Sequence, residues 1–193
     1  MIAALALTLA VAAHAAPAVP AFETSLINIH TEVLAATARL ATQEQLKKAD
    51  KNVVLTANQA YSNRSFLASL RAQARTSPRD PSLFGQLANL ASDLDVWASN
   101  CEVVRKQVMD LARTAAKDPA LAALAKKLYD HSRILDSDAG YLLIEARSAD
   151  VDLSIAGYGG QAYQIQRLAE AGAALTPDTR VAAKTVLDKI GAK

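Results

Sequence analysis

Cysteine is nearly missing from this chain: Cys101 is the only one in 193 residues. A single thiol closes no internal disulfide, so stability has to come from a packed core rather than staples. Its distance from the N-terminal apolar run excludes lipid attachment at a cysteine following a cleavage site, and haem attachment through Cys-x-x-Cys-His has no residues to use. Aromatic residues are only 5% of the chain, with one tryptophan, and glycine and proline are few at seven and six. Twenty-one basic residues stand against nineteen acidic ones, a net charge of +2. So slight an excess gives no global pull toward nucleic acid or an anionic membrane, and no aromatic-basic interleaving supports single-strand binding.

Catalytic patterns are missing too. There is no Glu-x-x-His pair of the kind that builds di-iron sites in helical bundles. His131, Asp138 and Glu145 fall in line but seven residues apart, about 10.5 Å along a helix, too far for two of them to share one ion. Gly157-Tyr158-Gly159-Gly160 has no lysine or hydroxyl at phosphate-loop spacing and reads as a break between helices. Asp93/Asp95 and Asp150/Asp152 are two apart and point to different sides of a helix. Gly-x-Ser-x-Gly does not occur. The expectation is a non-enzymatic protein with no cofactor and no metal ligands.

What the chain does have begins with an apolar run from Ile2 to Ala13, ending in Ala13-His14-Ala15 with prolines at Pro17 and Pro20. Small residues around His14 suit signal peptidase, although no basic residue precedes the run. Residues 1–15 read as a signal peptide and 16–193 as one α-helical domain, exported to the periplasm or secreted. About twelve apolar residues rise only about 18 Å, short of a membrane core of about 30 Å, so no transmembrane anchor is expected.

Alanine, leucine and straight-chain residues dominate the remainder, which favours helix throughout. Asp80-Pro81, Asp118-Pro119 and Thr176-Pro177 each set a capping oxygen before a proline suited to the first helical turn. Thr42 with Gln45 forms a weaker capping box. Helices are expected over 23–40, 43–76, 81–117, 119–155, 161–174 and 177–190, the first two continuous if the Thr42 signal is overridden, and the fourth kinked near Asp136–Gly140.

Leu83, Leu87, Leu90, Leu94, Trp97, Cys101, Val104, Val108, Leu111 and Ala115 are spaced alternately by four and three, a seam for knobs-into-holes packing. Leu121, Ala125, Leu128, Ser132, Leu135, Ala139, Leu142 and Ala146 form a leaner one. With Asp118-Pro119 turning the chain between them, the two seams predict a long αα-hairpin of adjacent helices. The fold class expected is all-α: an antiparallel helical bundle with a four-helix core and one or two shorter C-terminal helices.

Two sets of residues stand out as candidate sites. Trp97, Cys101 and His131 would line a space between helices, where the small residues of the leaner seam leave room for an apolar ligand carried in the bundle core. Lys47, Lys48, Lys51, Arg64, Arg71 and Arg75 form a basic stretch, and Asp130–Asp152 is correspondingly acidic. Either these segments are complementary neighbours in one bundle, or the basic helix meets an anionic partner such as lipid headgroups or envelope polymer. The leading expectation is an exported protein that acts by protein-protein contact or self-association, as an envelope or secreted assembly component, its long apolar stripes continuing across an interface.

Overall fold

A computed structural model of the chain describes residues 18–191, with side chains described from residue 27. The leader assigned to residues 1–15 lies outside the described residues. Five α-helices and one 3₁₀ turn account for the elements: α1 Ala18–Thr76, α2 Pro81–Thr114, a 3₁₀ turn Pro119–Leu121, α3 Ala122–Ile155, α4 Gly159–Ala173 and α5 Thr176–Gly191. There is no strand among the described residues.

The chain separates into two units, Met1–Ala41 and Thr42–Lys193. In the first, every residue from 27 to 41 is exposed, including Ile27, Ile29, Val33, Leu34 and Leu40. The division falls at Thr42, but the helix does not stop there. With no glycine or proline between Ala21 and Ser77, helix propensity overrides the Thr42 capping signal, and α1 runs through it.

The second unit is an all-α bundle with alternating helix direction. One core layer joins Leu67 and Leu70 of α1, Leu83 to Cys101 of α2, Ala139 to Leu153 of α3, and Ala162, Ile165 and Ala169 of α4. The other joins Leu46 and Val53 of α1, Val104 to Leu111 of α2, Leu121 to Leu135 at the start of α3, and Ala183, Val186 and Ile190 of α5. The two short helices therefore act in succession as the fourth member of the bundle. Pro177, without an N–H, separates them; Thr176 opens α5 as expected, but its hydroxyl donates to Asp136 Oδ1 at 2.8 Å instead of capping the helix.

The predicted hairpin needs correction. α4 and α5 lie against both α2 and α3, whereas α2 and α3 have no comparable contact with each other. The Asp118-Pro119 connection crosses the bundle diagonally, and each seam faces the centre rather than its sequence neighbour. Asp118 still caps its turn, accepting from the Ala120 N–H at 3.2 Å, and its own N–H donates to the Ile190 carbonyl at 3.2 Å. No kink interrupts α3: the stretch Asp136–Gly140 is helical throughout.

Loops at the opposite end are pinned by side chains. Asp80 accepts from the Ser82 N–H at 2.9 Å and from the Gln73 amide at 3.0 Å, and the Tyr158 hydroxyl donates to the Asp80 carbonyl at 2.5 Å. Arg79 takes the left-handed conformation, φ 68°, to bring Asp80 into place. No helix of the described residues is long and apolar enough to cross a membrane.

Candidate interaction face

Both seams expected from the sequence are buried. From Leu83 to Leu111 every seam position of α2 is covered, and so is every seam position of α3 from Leu121 to Ala146. Trp97 sits in the middle of the core and is fully covered. Its indole N–H donates to the Thr56 carbonyl of α1 at 3.1 Å, and its ring lies on Gly172 of α4. A Cβ built on Gly172 would come within 2.3 Å of the ring. The indole thus fills the space that Gly172 leaves between α2 and α4.

Cys101 is buried one turn on, and burial pushes its thiol up to about 12. A thiol so held is almost wholly protonated at neutral pH. His131 does not join this pair. It lies half-buried at the α1/α3 boundary, its Nδ1 2.6 Å from Asp50 Oδ1. The three residues expected around one ligand therefore divide into a packed core pair and a histidine hydrogen-bonded to Asp50 at the rim. Among the described residues no buried side-chain oxygen or nitrogen lacks a hydrogen-bond partner, and no cluster of metal-ligating residues occurs.

The basic stretch of α1 also divides. Arg71 binds Glu145 at 3.1 Å and Asp152 more closely still, and Arg75 binds Asp152 at 2.8 Å. Hydrogen bonds first from Arg75 and then from Arg71 hold the Asp152 carboxyl below the usual carboxylate range. Arg64 lies over the rings of Tyr61 and Tyr141, 5.2 and 5.4 Å from their centroids. These three arginines face α3, as complementary neighbours in one bundle. Lys47, Lys48 and Lys51 remain exposed, Lys47 paired with Glu44 at 2.7 Å.

One surface feature was not anticipated. Ile134, Tyr141, Ile144, Val151 and Ile155 of α3 are all exposed, Ile144 at 61% and Ile155 at 81%. With Ser137 and Ser148 they fall at alternating spacings of three and four, so they form one stripe. Ile144 follows the fully buried Leu142 by two residues, about 200° around the helix, which places the stripe on the outer face. No charged residue lies within it. Asp138, Glu145 and Asp152 flank it on the side of α1; Arg147, bound to Glu170 at 3.2 Å, flanks it on the side of α4. Near its start, a surface groove of about 610 Å³ is lined by Asp130, Arg133, Ile134, Asp136, Ser137 and Arg180. The signal was present in the sequence as a second three-four spacing on α3, out of phase with the first.

A covered stripe on one face and an uncharged apolar stripe on the other leave α3 able to pack on both sides. Comparison with models of known families, with curated proteins and with solved structures found no match to the chain.

Proposed function

We propose that this chain is an exported, non-enzymatic helical-bundle protein that works by protein-protein contact, as an assembly or structural component of an envelope or secreted complex. The observation that carries the reading is the outer stripe of α3. Five large apolar side chains, exposed along about 33 Å of rigid helix without an intervening charge, are a surface feature expected at protein interfaces. The apolar leader supports export. The carrier alternative is less well supported, because Trp97 takes up the room that a core ligand would need.

A photo-activated cross-linking side chain at position 144, in the chain expressed in its own host, tests the reading. A discrete protein adduct is expected at 144 and none at position 184, an exposed lysine on α5. Absence of any adduct at 144 would overturn it.

A further inference from the structure

The outer stripe has a heptad frame of its own. With Ile134, Tyr141, Ser148 and Ile155 as a positions, Ser137, Ile144 and Val151 are d positions. The flanking e positions are then Asp138, Glu145 and Asp152, and the g positions are Arg133, Gly140, Arg147 and Ser154. Every e residue is acidic, and both charged g residues are basic.

This arrangement selects an orientation. When two such helices lie parallel and in register, each g residue stands beside the e residue of the following heptad on the other helix. Arg133 then meets Asp138, and Arg147 meets Asp152, each twice under the two-fold axis. An antiparallel pair centred on Ala146 instead sets Arg147 against Arg147 and Glu145 against Glu145. Along the parallel layers the small Ser137 and Ser148 bracket Tyr141 and Ile144, with Ile134 beyond the first and Val151 and Ile155 beyond the second.

Asp138 and Arg133 add an independent point. Arg147, Glu145 and Asp152 all have ion-pair partners within the bundle. Among the described residues Asp138 and Arg133 have none: Asp138 is half-buried with only the more distant Arg64 charge near it, and Arg133 is exposed with the Tyr129 ring 6.0 Å away. Desolvation raises the Asp138 carboxyl, so a cation brought to it has something to gain.

From this charge pattern we infer that the partner on the outer face of α3 is a second copy of this chain, packed parallel and in register along Ile134–Ile155 as a two-fold dimer. The inference rests on the protein-contact reading and narrows it. The apolar layers supply the binding, and the flanking charges choose the orientation.

Sedimentation equilibrium of the purified chain is expected to show a monomer-dimer equilibrium that weakens with salt. Ile144→Glu should raise the dissociation constant about tenfold or more, and Ile144→Leu should leave it within about threefold. Orientation is read by Ser148→Cys and Ser137→Cys. In register, each new thiol faces its own copy and closes a disulfide on mild oxidation, while the parent chain, with Cys101 buried, closes none. A strict monomer at high concentration would overturn the dimer. So would a dimer in which neither new cysteine cross-links. A monomeric purified chain whose position 144 cross-links to a different protein in the host would overturn self-association and keep the contact reading; no adduct at all would end both.

Discussion

Gly172 of α4 gives the ring of Trp97 its seat, since a methyl at that position would lie 2.3 Å from the ring edge. The contact joins α4 to α2, and the indole N–H carries it on to the Thr56 carbonyl of α1. Gly172→Ala gains at most about 1 kcal/mol of helix propensity near the end of α4. Overpacking in a filled core costs about 1–3 kcal/mol. The expected result is net destabilisation, seen in urea as a lower midpoint with little change in slope. Trp97→Ala, which leaves a cavity, should cost more, about 3–5 kcal/mol.

Cys101 makes the second prediction. Buried beside Trp97, with its thiol pushed up to about 12, it offers almost no thiolate at pH 8. Alkylation by iodoacetamide should run at least about a hundredfold slower in the folded protein than in urea. Rapid modification of folded protein, followed by mass spectrometry, would contradict this placement.

How far the sequence carried is clear at Leu142 and Ile144. The core seam through Leu142 was legible because buried heptads in α2 and α3 repeat without a break, and the Asp-Pro and Thr-Pro signals marked where helices begin. The stripe through Ile144 follows the same spacing, but spacing alone does not say which of two apolar faces looks outward. That depends on which helices α3 touches, and the diagonal crossing after Asp118 is invisible in a four-residue connection. The small residues of the leaner seam leave room opposite Trp97 on sequence grounds, yet Trp97 points into the core and His131 reaches Asp50 at the rim. For the α1 arginines, opposite charge along two long segments leaves two readings open, neighbours in the bundle or an anionic-partner face; Arg64, Arg71 and Arg75 turn to α3, and Lys47, Lys48 and Lys51 stay outside.

Those arginines set the acid response. Arg75 and Arg71 depress the Asp152 carboxyl, so its stabilising contribution is complete above the unfolded carboxylate value of about 3.9 and is lost as pH falls from there through the lower folded value. Asp152→Asn should destabilise the protein at pH 7, and the gap to the parent chain should close below about pH 4. Asp138 has the opposite sign, because burial raises its carboxyl. Its charged form weighs against folding of the single chain above the folded value, and Asp138→Asn should leave neutral stability unchanged or improved when measured at concentrations where the chain is monomeric. Urea titrations of both variants at pH 7 and pH 3.5 read the two signs directly.

The Arg79-Asp80 pair carries the last prediction, with neighbouring residues pulling in opposite directions. Arg79 is exposed and held at φ 68°, where a side chain costs about 1–2 kcal/mol. Glycine would remove that strain and lose about 0.5–1 kcal/mol to greater freedom in the unfolded chain. Arg79→Gly should therefore stabilise slightly, by about 0.5–1 kcal/mol. Asp80 caps α2 through the Ser82 N–H and also holds Gln73. Asp80→Ala removes both bonds and should cost about 0.5–2 kcal/mol. Thermal unfolding of the two variants side by side should move the midpoint up for the first and down for the second. If both fall, the left-handed turn at Arg79 is doing more than aiming Asp80 at the helix start.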